Sequence, residues 1–388
     1  MRILLVHNSY QQPGGEDQVF RTEGSLLENQ GHTVLRYTDH NDRLNDLNAL
    51  TAAATTLWST RTYRMVSELI RRERPDVLHV HNTFPLVSPS VYYAAAAFQV
   101  PVVQTLHNYR FLCPQSDFIR DGRICEDCLG RTAPWPGVVH ACYRGSRIAT
   151  MGAATMLTLH RLMGTYQHKV SAYIALTDFA RQKFIEGGLP AERIFVKPNF
   201  VYPDPGPGRG QGGYALFVGR LTSAKGVESL LAAWKDLGEL LPLRIVGDGP
   251  LNELVARSAE SLDGIAWLGR RSWREVLELM RDAYVLVFPS EWYEGFPLVI
   301  AEAFAVGLPV VASDLGAMSS IVQDQRTGIH FRPRDPADLV RKIQWVISHQ
   351  KEVESMRRNA RAEFEAKYTA EENYAQLMRI YQGVMRKD

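Results

Sequence analysis

Twice along its length this chain alternates short apolar runs with amphipathic helical runs, and that alternation narrows the fold more than any other feature. The first series holds "RILLVHN", an amphipathic run from Glu16 to Gln30, then "HTVLRYT", "DVLHVHN", "PVVQTLHN" and "AYIALT". Periodicity switches repeatedly between two and 3.6 residues. Strands joined by helices need right-handed crossovers, which lay the strands parallel and cover both faces of the sheet. Residues 202–213, "YPDPGPGRGQGG", carry no periodic apolar pattern and mark an interdomain connection. The alternation then restarts with "YALFVGR", "LRIVGDG", "GIAWLG", "YVLVFPS" and "PVVASD".

The expected architecture is therefore α/β, with two doubly wound Rossmann-like domains facing an interdomain cleft. The first covers residues 1–201, the linker 202–213 and the second 214–370. A terminal helix, 371–388, is free to lie against either domain or return to the first. Open sheets of this kind bind ligands beyond the carboxyl ends of their strands, so the chemistry is sought there and in the cleft.

A length of 388 residues and a 45% hydrophobic content suffice for two cores. A net charge of +2 disfavours nucleic acid as a partner. The opening apolar run is too brief for a signal peptide, and no stretch reaches the roughly 18 apolar residues of a membrane span. A cytoplasmic location is the resulting expectation, with peripheral attachment at the inner face of the plasma membrane as an extension of it.

The stretch "EGFPLVIAE" sets Glu294 and Glu302 at the ends of an otherwise apolar segment. If a helix starts at Pro297, the amides of Leu298 and Val299 stand unpaired at its positive end and can seat a phosphate. The two carboxylates then flank that seat, roughly 7.5 Å separating Glu302 from the helix start, and can hold hydroxyls on either side of a diphosphate. The alternative is two solvated surface acids. In "FVGRLTSAKGVESLL", Arg220 and Lys225 straddle the turn after the first strand of the second domain, where two cations can neutralise a diphosphate leaving group. Gly14 and Gly15, in "VHNSYQQPGGED", allow a backbone to approach a phosphate, although an ordinary tight loop reads the same way.

Taken together these motifs resemble glycosyltransferase family 4, the retaining sugar-nucleotide enzymes of the GT-B architecture. The resemblance spans nearly the whole chain, including "TLHN", "LTDFARQKFIEGGLPAERIFVKPNF", "FVGRLTSAKG", "IVGDGP" and the glutamate pair. It implies catalytic roles for His107, Arg220, Lys225 and Glu294: the cations on the donor diphosphate, Glu294 and His107 near the transferred sugar. It implies donor contacts from Gly14, Gly15, Gly219, Phe296, Leu298 and Val299, and a ribose contact from Glu302. The donor is a nucleoside-diphosphate sugar, attacked on its front face, and no catalytic metal is required because cationic side chains substitute for one. Gly316-Ala317-Met318 departs from the Gly-Gly pair that many members carry. Base contacts are expected around "WLGRRSW". His79 and His81 share one face of a strand and read as packing or cleft-lining residues.

All four cysteines, Cys113, Cys125, Cys128 and Cys142, fall within one insertion at about 110–145. Cys125 and Cys128 have the knuckle spacing of a zinc ligand pair, and the others complete a thiolate set. A structural zinc, metal-free cysteines and an iron–sulfur cluster all remain open. The run "YRGSRIATMGAATMLTLHRLMGTYQHK" mixes cations with apolar residues. It suits either peripheral contact with anionic membrane beside a glycan or lipid-linked acceptor, or a helix packed on the first sheet. Function then divides three ways: glycosyl transfer in cell-envelope polysaccharide assembly, sugar-nucleotide epimerisation on the same architecture, and a non-catalytic sugar-nucleotide-binding subunit.

Overall fold

A strand covered on both faces is mostly apolar, as Ala215–Val218 and Val285–Phe288 are here. The polar residues that central strands do bury, such as His79 and Gln104, have hydrogen-bond partners. The computed structural model describes residues 1–11 and 14–386. They form two compact units, one comprising 1–120, 125–198 and the chain from 373 onward, the other 121–124 and 199–372.

In the first unit, β1 (Arg2–Ser9), β2 (Thr33–His40), β3 (Val77–Val80), β4 (Val102–Leu106), β5 (Ala172–Ala175) and β6 (Ile194–Val196) build one six-stranded sheet. Its order is β2-β1-β3-β4-β5-β6 and every pairing is parallel. Three helices position the residues of interest in this unit: α1 (Gly15–Asn29), α2 (Ala49–Leu57) and α3 (Arg147–Leu162). α1 turns Val19, Phe20, Leu26 and Leu27 inward, the helical spacing of one buried stripe.

The second unit repeats the plan with β7 (Ala215–Val218), β8 (Leu243–Val246), β9 (Ile265–Gly269), β10 (Val285–Phe288), β11 (Val310–Ser313) and β12 (Gly328–Phe331). The order β9-β8-β7-β10-β11-β12 is again all parallel. α4 (Val227–Leu237) follows β7, α5 (Trp273–Asp282) precedes β10, and α6 (Leu298–Ala305) follows it. Separate cores lie on the two faces of the sheet, one around Leu286, Ile300 and Phe304, the other around Phe217, Trp234 and Val285. Both sheets thus have the doubly wound form expected. Each also gains a sixth edge strand, β6 and β12, which the apolar pattern does not announce.

The terminal helix α7 (Ala370–Met385) belongs with the first unit from Asn373 onward. Its Leu377, Ile380, Tyr381 and Val384 pack with Ile3, Leu5, Phe20 and Leu27. Each such large apolar side chain, when fully buried, contributes roughly 1.5–3 kcal/mol. The Pro/Gly-rich stretch 202–213 lies strapped along the second unit. Gly208 N–H donates to Val306 O (2.8 Å), Gly210 N–H to Arg281 O (2.9 Å) and Gly212 N–H to Asp282 O (2.7 Å).

Candidate functional site at the strand ends

In the second unit the carboxyl ends of β7 and β10 bring the expected residues together. Gly219 prolongs β7, its N–H donating to Val246 O at 3.1 Å. Arg220 follows it, exposed and without an ion-pair partner among the described residues. The next turn ends on Lys225 and Gly226. Gly226 has φ +70°, and a Cβ there would lie 1.9 Å from Pro289 O. Only glycine lets this turn press against the exit of β10, and the contact sets Lys225 beside the acids that follow β10.

Glu294 is 7% exposed, and its Oε1 accepts from Lys225 Nζ (2.6 Å), Ser290 Oγ (2.7 Å) and Trp292 Nε1 (2.6 Å). Three donors on one oxygen fix the carboxylate. The Lys225 ammonium also lies 5.3 Å from the Phe288 ring centre and 5.6 Å from that of Trp292, within cation–π range. Glu302, half-buried on α6, accepts from Trp273 Nε1–H at 2.9 Å, and burial pushes its carboxyl above the usual range. Trp273 is the last residue of the "WLGRRSW" stretch.

The start of α6 differs by one position from the sequence reading. Pro297 has ψ 95° and sits at the N-cap, so the first helical residue is Leu298. A proline can precede a helix in extended geometry as readily as open it. Ile300 N–H donates to Pro297 O at 2.9 Å, whereas the amides of Leu298 and Val299 have no hydrogen bond among the described residues. Phe296 packs its ring against Tyr368, with centroids 5.8 Å apart, so what it can offer a ligand is its backbone.

In the first unit, His107 follows β4 and is partly exposed. Its Nε2 lies 3.0 Å from His81 Nδ1. Burial, with His81 and His7 adding repulsion, holds its pKa well below the ordinary histidine value, so the ring is neutral. Neighbouring Asn108 donates from Nδ2 to Glu16 Oε2 at 3.1 Å, and Tyr10 OH reaches the same oxygen at 3.1 Å. Burial raises the Glu16 carboxyl to about 8. Gly14 forms the N-cap of α1, and its N–H donates to Asp17 Oδ2 at 2.8 Å, so this amide already has an acceptor. Asp17 in turn holds His7 Nε2 at 2.9 Å.

His79 and His81 are packing residues, 0% and 2% exposed, gathered around a buried carboxylate, Glu23. Neither Glu23 nor its partner Lys197 stands out in sequence, because a lone glutamate on an amphipathic helix reads as solvated. Cys113, Cys125, Cys128 and Cys142 line one small cavity of about 10 Å³, and none of the four is paired in a disulfide. Burial raises the thiols of Cys113 and Cys142 and pushes that of Cys128 to about 11. The inner face of α3 packs Ala153, Met156 and Leu157 on Phe84, with Leu57 and Tyr143 alongside. Its outer face leaves Ile148, Met151 and Leu162 more than half exposed. No helix is long and apolar enough to cross a membrane among the described residues.

Residues 14–199 match the model of the glycosyl transferase 4-like domain, and residues 207–363 that of glycosyl transferases group 1. An uncharacterized glycosyltransferase of Methanocaldococcus jannaschii is 28% identical over 236 residues, 60% of this chain and 66% of the relative. A phosphatidyl-myo-inositol mannosyltransferase of Mycobacterium tuberculosis is 30% identical over 202 residues, 49% of this chain and 53% of the relative. The chain thus spans about half to two-thirds of the length of these two relatives. Among solved structures, Anabaena HepE in complex with UDP-glucose superposes with a TM-score of 0.69 at 17% identity, covering 99% of this chain and 100% of that one. With two domain models accounting for most of its length and the same two-sheet fold, the chain belongs to the glycosyltransferases of family 4, of GT-B architecture.

Proposed function

We propose that this protein transfers a sugar, with retention of configuration, from a nucleoside-diphosphate sugar to a hydroxyl of a glycan or lipid-linked acceptor in cell-envelope polysaccharide synthesis. The observation that carries the reading is the convergence of Arg220, Lys225 and the unbonded amides of Leu298 and Val299 on one strand-end surface, bordered by Glu294 and Glu302. Cations and helix-end amides stabilise the charge that develops on a departing diphosphate. Lys225 is held by Glu294 but remains partly exposed, so its ammonium can turn toward a phosphate while Glu294 takes up a sugar hydroxyl. The acceptor oxygen bonds to the anomeric carbon as the carbon–phosphate-oxygen bond breaks, and the leaving phosphate receives the acceptor's proton. Arg220 and Lys225 supply the positive charge for this step. That HepE is solved with UDP-glucose supports a nucleotide-sugar donor.

Two finer assignments go with this reading. An apolar cavity of about 300 Å³ between α2 and α3, lined by Leu44, Ala53, Phe84, Ile148 and Gly152 with Arg144 alongside, suits the tail of a lipid-linked acceptor. The exposed face of α3 would then rest on anionic lipid. The four cysteines, surrounding one cavity, would hold a structural zinc; elemental analysis finding no metal, with four freely titrating thiols, removes that assignment. For the activity itself, calorimetry and turnover across UDP-, GDP- and ADP-sugars should give binding of one nucleotide class and acceptor-dependent release of its diphosphate. Absence of binding to every sugar nucleotide and free diphosphate would overturn the proposal.

A further inference from the structure

Behind His107 the first unit buries a chain of polar groups that the transfer reaction does not itself use. His81 Nδ1 faces His107 Nε2 at 3.0 Å, and His81 Nε2 faces Glu23 Oε1 at 3.2 Å. Glu23 Oε2 is 2.8 Å from Lys197 Nζ, which also reaches Asn373 Oδ1 at 3.2 Å. His79 lies alongside, its Nδ1 3.3 Å from Glu23 Oε1 and 2.7 Å from Tyr381 OH, its Nε2 2.7 Å from Thr105 Oγ1. Glu23, His79 and His81 present ligand atoms within 4.8 Å of one another, a spacing that a cation could bridge. Lys197 already supplies a positive charge there, and both nitrogens of His79 have hydroxyl partners.

Proton positions are set by this geometry. Burial alone would favour a neutral Glu23, but Lys197, with His81 and His79, outweighs it and holds the carboxyl well below its usual range. An ionised carboxylate only accepts. Among the described residues neither Glu23 Oε1 nor His81 Nε2 makes a well-aligned hydrogen bond, and the two atoms lie 3.2 Å apart, so a bare nitrogen there would set two lone pairs against each other in a buried space. His81 therefore carries its proton on Nε2, and its Nδ1 is an acceptor. His107, being neutral, must donate to that acceptor from Nε2, which leaves its own Nδ1 with a lone pair.

We propose that Glu23 acts through His81 as a positioning residue that locks His107 in the Nε2–H tautomer, so that the partly exposed ring offers Nδ1 as an acceptor for a hydroxyl of the donor sugar. The tautomer assignment stands on the buried geometry, whereas its use rests on the reading of His107 as a sugar contact. Lys197 keeps Glu23 charged, and Asn373, from the terminal helix, fixes Lys197.

The test is nitrogen NMR of the full chain labelled at its 11 histidines, with the His107 signals assigned by their loss in His107→Gln. His107 in the unmodified protein should show a protonated Nε2 and a bare Nδ1. The double variant Glu23→Gln/Lys197→Met removes both buried charges together, and its amide can turn to donate to His81 Nε2. The proton on His107 should then move to Nδ1 or divide between the nitrogens, with kcat/KM falling about 10- to 100-fold, the cost seen when groups that orient a site's ligands are changed. A protonated Nδ1 in the unmodified protein overturns the proposal without recourse to any variant. So does a folded double variant with an unchanged nitrogen pattern. If the nitrogen signals behave as expected while His107→Gln transfers sugar at the unmodified rate, it is the sugar-contact role of His107 that fails, and the relay behind it stands.

Discussion

In the first unit Lys197 and Glu23 pair at 2.8 Å with side chains 2% and 1% exposed, whereas in the second Lys225 and Glu294 pair at 2.6 Å with 21% and 8% exposed. The two pairs have the same chemistry and nearly the same length. What differs is the alternative available to the cation. Lys197 has nowhere to go, because its ammonium is enclosed between Glu23 and Asn373, and removing it strands a carboxylate in the core. Lys225 lies in the turn after a strand and is partly exposed, so an incoming anion can compete for it. On the proposed function, the same ion pair is a fastening in one unit and a reserve of charge in the other.

Four measurements put that contrast at risk. Lys197→Met should destabilise the fold by about 3–5 kcal/mol in urea unfolding, the effect of leaving a buried charge alone. Adding Glu23→Gln should restore most of it, and a single variant of unaltered stability would mean that the buried pair fastens nothing. Lys225→Ala should leave the unfolding midpoint nearly in place but slow transfer by about 10²-fold or more, as loss of comparable electrostatic groups costs roughly 3 kcal/mol in the transition state. A variant with normal turnover would make Lys225 a structural cation like its counterpart.

Glu16 adds a pH test within the first unit. Its folded carboxyl keeps its proton up to about 8 against an ordinary value of 4.5. A raised carboxyl contributes stability that is fully present below the unfolded value and is lost as pH rises through the folded one. Stability should therefore decline between about pH 5 and about pH 9, and Glu16→Gln should flatten that slope. Equal slopes would show that Glu16 titrates normally. The smallest effect is expected for Trp273→Phe, which removes one hydrogen bond to Glu302. Donor affinity should fall by roughly 1 kcal/mol, visible in calorimetry with the free nucleotide diphosphate.

The fold was legible to the extent that burial is local in sequence. The central strands announce themselves because both faces of each are covered and the residues run apolar with little interruption, as in "VLVF". The edge strands β6 and β12 escape for the opposite reason. β6 is three residues long with Phe195 43% exposed, and β12 is broken by a glycine and a histidine. The candidate residues just after strand ends, Arg220, Lys225 and Glu294, and Glu302 on the helix that follows, are singled out in sequence by position and charge. The partners that hold them are not: Trp273 reaches Glu302 from 29 residues away, and Lys197 reaches Glu23 from 174. A side chain buried by distant parts of the chain leaves no periodic trace near itself.

The terminal helix has a consequence for biogenesis. Tyr381, Leu377 and Ile380 fill the same core as Ile3 and Leu5, yet a ribosome delivers them more than 370 residues later. The first sheet must wait, with one face unsealed, until the second sheet has been synthesised and α7 arrives. Nascent chains stopped short of that helix should expose this apolar face to chaperones.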